Sequence, residues 1–337
     1  MLNLVVYADR EIHARRAASS TSRLADRHPS RAIIVLGDRV REGVDVAVQL
    51  HCHVPHEDQT AQICYEQILA RVQGDADERV ASVVIPLLVP DLPVFLWWTG
   101  TPPQDAQRFG DLLELADRLI VDSADFARPD ETLPLIADLA AAQRHRTFGV
   151  TDLNWTRLTP WRELIASFFD VTAWRPYLDQ VVGVRVGFDV DMDGRDIHPS
   201  QSLLLVGWLA SRLGWQAVES LAPSEAGGLL FRMARGDGAP IAVRVRPRFE
   251  RGLEPGDTSG VRIQARSREG VLAEFVLKRA PDPRHVTATI VIDGETRSTR
   301  VVPLPSPEID ELLREELSIV GIDNVFEDAL RALVALA

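Results

Sequence analysis

The densest cluster of chemically able side chains is Asp152-Leu153-Asn154-Trp155-Thr156-Arg157-Leu158-Thr159-Pro160-Trp161-Arg162. A carboxylate, an amide, two indoles and two guanidiniums fall within eleven residues. Thr159-Pro160 predicts a helix start. A threonine hydroxyl can accept from the free N–H groups of a first turn, and proline fits there because its missing donor costs nothing. The helix is expected to run on through Phe169. Residues 152–158 then form a loop delivered to a helix N-terminus, where backbone N–H groups and the helix dipole favour an anion. Arg157 and Arg162 add planar donors suited to carboxylate or phosphate. The same composition suits a structural corner, with Trp155 and Trp161 as core anchors and the charges as their solvated neighbours. Chemistry alone leaves both readings open.

The elements that must position this stretch have a layered α/β pattern. Leu4–Tyr7 reads as a first strand, Glu11–Asp26 as a helix, and Ala32–Leu36 as a second strand, apolar throughout like a strand buried on both faces. That order predicts a parallel sheet with a right-handed crossover. The first strand–helix turn, Tyr7-Ala8-Asp9-Arg10-Glu11, contains no glycine, so the dinucleotide fingerprint is missing where it should be. No phosphate-cradling Gly-Lys-Ser/Thr loop appears either. Neither feature points to a cofactor. Strands at Val94–Trp98, Leu119–Val121 and Phe148–Val150 extend the sheet, with helices at Phe109–Asp117 and Pro134–Arg144. Asp122, Ser123, Asp152 and Asn154 then fall at strand ends, where open parallel sheets place their sites. No histidine accompanies them, so no nucleophile–base pair and no catalytic residue can be named.

Val44–Leu50 alternates as a half-exposed strand and runs into His51-Cys52-His53-Val54-Pro55-His56. On a strand, His51 and His53 share one face and Cys52 takes the other. One metal ion could not easily collect them, and no metal site is assigned. Cys64 is placed on a helix over Gln59–Val72, and both cysteines read as structural thiols rather than parts of a redox motif. Asp189, Asp191, Asp193 and Asp196 lack the spacing and closing glutamate of a calcium loop and read as an acidic turn.

Past Phe169 the pattern changes. Val182, Val184, Val186, Phe188 and Val190 alternate with Gly183, Arg185, Gly187 and Asp189, a half-buried strand. A helix over Pro199–Leu213 follows, closed by Gly214. Short strands are expected at Leu229–Ala234, Ile241–Val245, Val261–Ala265, Val271–Leu277, Val286–Ile292 and Thr296–Val302. Turn signals between them, such as Asp293-Gly294, predict an antiparallel meander. Helices at Glu308–Val320 and Val325–Leu336 are expected to cover one face of it. Arg244, Arg246 and Arg248 alternate with apolar residues, as do Arg262, Arg266 and Arg268. If those two strands pair, Arg244, Arg246, Arg262 and Arg266 form a basic face. It is either a docking surface for an acidic partner or phosphorylated ligand, or a solvated face matched by nearby acids.

A length of 337 residues favours two domains. Residues 1–170 read as a Rossmann-like α/β domain with a mostly parallel sheet and no nucleotide fingerprint. Residues 171–337 read as an α+β domain with an antiparallel meander covered by helices. The net charge of −12 disfavours general binding to nucleic acid or an anionic membrane. The longest apolar stretch, Val83–Trp98, is broken by Pro86, Pro90, Asp91 and Pro93 and is no membrane span. Two cysteines make no disulfide framework, no basic-then-apolar leader opens the chain, and the expected compartment is the cytosol.

The central stretch, together with Ile85-Pro86-Leu87-Leu88-Val89-Pro90-Asp91-Leu92-Pro93-Val94-Phe95-Leu96-Trp97-Trp98, Val121-Asp122-Ser123 and His28-Pro29-Ser30-Arg31, resembles the OpcA family. These are the glucose-6-phosphate dehydrogenase assembly or subunit proteins. The resemblance covers nearly the whole chain and is most specific through Phe169. Family members carry an extension before the first strand, whereas this chain starts almost on that strand. The resemblance implies a non-catalytic assembly factor or allosteric activator that partners glucose-6-phosphate dehydrogenase in the oxidative pentose phosphate pathway. Trp155, Arg157, Trp161 and Arg162 are then the expected contact residues, since Trp and Arg dominate interface hot spots. The alternative is a sugar-phosphate site or enzyme on the rim of Asp122, Ser123, Asp152, Asn154 and Arg157.

Overall fold

The computed structural model describes the chain apart from residues 25–29, 39–41, 54–62, 104–105, 127, 143–147, 193–197, 225–226, 320 and 337, and apart from the side chains of 51–53, 63–64 and 129–130. In chain order the first half comprises β1 (Leu2–Ala8), α1 (Glu11–Leu24), β2 (Ser30–Asp38), β3 (Gly43–His53), β4 (Ile63–Gln73), α2 (Asp75–Glu78), α3 (Val80–Val84), β5 (Val94–Trp98), α4 (Gln107–Leu115), β6 (Arg118–Val121), α5 (Pro129–Ala142), β7 (Gly149–Asp152), α6 (Leu153–Arg157) and α7 (Thr159–Phe169). Then come β8 (Val181–Asp189), α8 (Ser200–Leu213), β9 (Gln216–Ala217), β10 (Ala222–Pro223), β11 (Leu229–Ala234), β12 (Pro240–Arg248), β13 (Thr258–Arg266), β14 (Leu272–Arg279), β15 (His285–Ile292), β16 (Glu295–Pro303), α9 (Ile309–Ser318) and α10 (Asn324–Val334). Two compact units emerge. One comprises Met1–Ala127, Leu139–Leu153 and Glu308–Asp323; the other comprises Arg128–Asp138, Asn154–Pro307 and Asn324–Ala337.

The first unit holds a seven-stranded sheet in the order β3-β4-β2-β1-β5-β6-β7. All its pairings are parallel except β3 with β4. Its six parallel strands therefore follow the doubly wound order with a switch point between β1 and β5. The apolar runs of β1 and β5 explain this: every residue of both strands is buried, as a strand covered on both faces requires. One face packs Leu4, Val6, Ile34, Trp97 and Ile120 against Ile309, Leu312 and Leu313 of α9.

The second unit holds a nine-stranded sheet with the path β10-β11-β12-β8-β13-β14-β15-β16, and β9 pairs β11. On its covered face Val184, Val186, Phe188, Val243, Val245 and Ile263 are buried, and α8 packs over β8 and β12. Phe168 and Phe169 of α7 pack with tilted rings against Phe275 of β14, centroids 5.6 and 4.7 Å apart.

Four expectations are corrected. Residues 63–73 form strand β4, where a helix over Gln59–Val72 was expected; residues 59–62 lie outside the described part. Its apolar spacing also fits a strand, and pairing with β2 and β3 decides the matter. Residues 153–157 form the short helix α6, where a loop was expected. The meander is interrupted, because β8 lies between β12 and β13 and runs parallel to β12. Of the two closing helices, α9 packs into the core of the first unit, and only α10 belongs to the second, against α8.

Candidate functional site

The switch point of the first unit opens into a cleft of about 590 Å³ lined by Tyr7, Asp9, Gly37, Asp38, Asp77 and Arg108, among others. Tyr7 is the penultimate residue of β1 and lies stacked on Trp98 of β5, ring centroids 4.2 Å apart and planes 13° apart. Its hydroxyl donates to Asp77 Oδ1 at 2.8 Å. Burial first, then this bond to a carboxylate, raises the phenol well above its ordinary range. Gly37 is required beside it, because a Cβ there would stand 2.3 Å from the Tyr7 hydroxyl. Arg108 lies over the Tyr7 ring and 3.8 Å from Asp77 Oδ2. The sequence shows the missing glycine but not this pair, whose members are 70 residues apart.

The strand-end residues of this unit are buried and engaged. Asp152 Oδ1 accepts from the Ser123 backbone N–H at 2.9 Å, and Asp122 Oδ1 accepts from the Ala124 N–H at 3.2 Å. Asp122, Ser123 and Asp152 are each at most 2% exposed. They close the turn after β6 and tie it to the end of β7. Nearby, Arg118 is buried, donates to Thr151 Oγ1 at 3.1 Å and to the Ile319 and Gly321 carbonyls, and faces Glu316 through Thr151. Burial lowers its guanidinium pKa, with Glu316 pulling it back up.

In the second unit the central segment is knitted together. Asn154 donates to Ser200 Oγ at 3.0 Å, and its Oδ1 accepts from Gln201 Nε2 at 3.0 Å and Arg157 at 3.3 Å. Gln201 Oε1 in turn accepts from the Thr258 N–H at 2.8 Å, so one amide ladder links α6, α8 and β13. Arg162 lies over the Trp155 ring, 3.5 Å from its centroid, and donates to the Trp155 carbonyl and Thr159 Oγ1. Trp155 is 3% exposed and packs on Phe326; Trp161 is 2% exposed with Arg279 over its ring. Thr159 lies inside α7, whose preceding residue is Leu158, and makes no cap. The indoles are core anchors, which removes Trp155 and Trp161 as open contact residues.

Two surfaces stand out instead. On the uncovered face of the second sheet, Arg244, Arg185 and Arg262 lie side by side across β12, β8 and β13. Arg246 and Arg248 follow along β12, whereas Arg266 is turned to the Gly270 carbonyl. The alternation of β8 exposes Arg185 to sequence reading, but direct pairing of β12 with β13 left it out of the face. On the first unit, Val44, Val46, Val48 and Leu50 of β3 are 48, 44, 64 and 64% exposed. They form one face of an edge strand. The register of β3 sets Cys52 opposite Cys64; their side chains, with His51 and His53, lie outside the described part, as do Asp193 and Asp196. Among the described residues no group of three metal-ligating side chains converges, and no helix is long and apolar enough to cross a membrane.

In fold, the chain is similar to solved sugar oxidoreductases. A levoglucosan dehydrogenase in complex with NADH and L-sorbose aligns over 99% of this chain and 94% of that one, with TM-score 0.53 and 12% identity. A D-galactose-1-dehydrogenase from Rhizobium etli aligns over 99% and 93%, with TM-score 0.50 and 16% identity. At these identities the likeness concerns the fold alone. The residues here do not fit the pyrophosphate of such a cofactor: the β1–α1 turn has no glycine, Asp9 and Glu11 place carboxylates at the entry to α1, and the Tyr7–Asp77 pair occupies the strand ends.

In sequence, an OpcA from Synechococcus elongatus, provisionally named an OxPP cycle protein, is 27% identical over 96% of this chain and 71% of its own length. Its namesakes from Nostoc punctiforme and Synechocystis are 34 and 33% identical over 59 and 52% of this chain. Those matches span 42 and 35% of the relatives' own lengths, well under two thirds. Residues 21–138 match the glucose-6-phosphate dehydrogenase subunit N-terminal domain and residues 148–330 its C-terminal domain. The chain therefore belongs to the OpcA family.

Proposed function

We propose that this chain is a non-catalytic partner of glucose-6-phosphate dehydrogenase, favouring the enzyme's active assembly and so serving the oxidative pentose phosphate pathway. The family description supports the choice of partner. The observation that carries a docking role is the apolar stripe Val44, Val46, Val48 and Leu50 on the edge strand β3. Edge strands ordinarily carry charge or cover, and an apolar stripe left in water marks a surface that another protein buries. Trp155, Trp161 and Arg162 then serve by holding α6 and α7 in shape, Asn154 and Arg157 by tying α6 to α8, and Asp122, Ser123 and Asp152 by closing the turn after β6. No sugar-phosphate chemistry is proposed at those residues, because Asp152 and Asn154 are each 1% exposed.

A partner shifts an equilibrium only by its differential affinity. A preference of about 1.4 kcal/mol for the active form changes the ratio tenfold. The test is dehydrogenase rate against glucose 6-phosphate concentration, using the enzyme of the same organism, with and without this protein, and with this protein alone. The expected result is a higher rate or lower apparent KM only when both are present. The double variant V46D/V48D, at exposed strand positions where each change costs about 0.5–1 kcal/mol of stability, should keep its fold and lose the effect. No change in rate and no co-elution with wild-type protein would sink the reading. A fully active double variant would move the contact surface elsewhere.

A further inference from the structure

The open face of the second sheet concentrates like charge where the fold could have avoided it. Arg185 of β8 faces Arg244 on one side and Arg262 on the other in direct register, at a cross-strand spacing of roughly 5 Å. Like charges placed directly opposite destabilise a sheet. Arg262 is answered by Glu274 at 3.3 Å. The side chains of Arg185, Arg244, Arg246, Arg248 and Lys278 make no hydrogen bond or ion pair among the described residues. This happens on a chain whose net charge is −12, so the basic face is a local feature and not a reflection of composition.

The face also has a built depression. A cleft of about 190 Å³ is lined by Arg185, Arg246, Arg248, Arg262 and Lys278 and by one carboxylate, Glu250. Gly187 and Gly260 are opposite each other in its floor. A bulge between Thr258 and Gly260 brings Ser259 over the floor, its hydroxyl 2.6 Å from where a Gly187 Cβ would be. Bulges commonly re-aim a side chain beside a site. The Nε of Arg185 is buried there without a partner, and a buried donor left unmade is costly. Burial, and then Arg246, Arg262, Arg244 and Arg248, depress the Arg185 guanidinium pKa.

We infer that this cleft binds the phosphate group of a small phosphorylated metabolite, with Arg185 and Arg262 as fork donors, Arg246, Arg248 and Lys278 as surrounding charge, and Ser259 as a hydroxyl donor. A phosphomonoester dianion offers several acceptor oxygens and a charge that offsets the crowding, matching planar guanidinium donors better than a lone carboxylate does. The site belongs to this chain alone and stands apart from the docking role of β3.

The test is isothermal titration of the full chain, without any dehydrogenase, at low ionic strength. The titrants are inorganic phosphate, glucose 6-phosphate and, as an acidic-protein mimic, polyglutamate. Saturable binding of glucose 6-phosphate is expected, with Arg185→Gln weakening it at least tenfold. Gly187→Val, which fills the floor without removing a charge, should weaken it similarly. Equal affinity for inorganic phosphate identifies the free ion as a sufficient ligand, and tighter binding of glucose 6-phosphate identifies the ester. A melting curve of each variant in phosphate-free buffer checks the fold. No saturable binding by wild-type protein, unchanged affinity in both folded variants, or binding of polyglutamate alone overturns the inference. The last result would make the face a docking surface for an acidic protein.

Discussion

Tyr7 sets what the first sheet can do. It stands at the carboxyl end of β1, where a dinucleotide fold needs bare backbone, and puts there a ring stacked on Trp98 and a hydroxyl bonded to Asp77. Replacing Tyr7 with Phe keeps the ring and removes the bond, leaving the 1%-exposed Asp77 without that donor. Urea denaturation should show a loss of about 1.5–3 kcal/mol, the usual worth of a hydrogen bond to a charged group. A second readout follows from the raised phenol. Above its ordinary value of 10.0 the unfolded chain releases this proton while the native state keeps it. The native state then binds more protons, so stability falls as pH rises beyond 10.0. The Phe variant lacks this alkaline slope. Parallel pH profiles for the two proteins above pH 10 would show that the phenol is not held by the fold.

Elements formed by local alternation were legible in the sequence; those fixed by distant pairing were not. β11 matches its expected span, and β12 to β16 fall within two or three residues of theirs, because period-two burial is written locally. The insertion of β8 between β12 and β13 is a topological choice that no local pattern encodes, and it hid Arg185 from the basic face. β4 was obscured because Ile63, Ile68 and Leu69 also fit a helical stripe until β2 and β3 flank them. In the central stretch, the residue types announced importance but not kind. Two indoles with two arginines suit a contact surface or a corner, and the Arg162–Trp155 stack makes them a corner. Helix pairing offers a test of the same logic. Gly207 of α8 sits against α10, and a Cβ there would stand 2.5 Å from the Ala329 carbonyl oxygen, a backbone atom that cannot easily yield. Alanine normally favours a helix by roughly 1 kcal/mol over glycine. Here crowding should outweigh that gain, and Gly207→Ala should destabilise the protein by about 1–2 kcal/mol. A lower urea midpoint at unchanged slope is the expected result; a stabilised variant would mean that α8 and α10 lie further apart.

Taken whole, the molecule is acidic yet carries one basic sheet face and one uncharged edge stripe, and the two should answer differently to salt. The net charge of −12 sets a repulsive background toward anions that the cluster around Arg185 must overcome locally. Contacts among such exposed charges are screened over about 10 Å at 0.1 M salt and about 3 Å at 1 M. Burial of Val44, Val46, Val48 and Leu50 involves no charge, and excluded salts such as sulfate strengthen it. Raising potassium chloride from about 0.05 to 0.5 M should therefore weaken phosphate-ester binding several-fold while leaving association with glucose-6-phosphate dehydrogenase nearly unchanged. Titration calorimetry and analytical ultracentrifugation, on the same samples across the same salt series, measure the two. If enzyme association fell in step with anion binding, the arginine face and not β3 would be the docking surface. V46D/V48D would then retain activation while Arg185→Gln lost it.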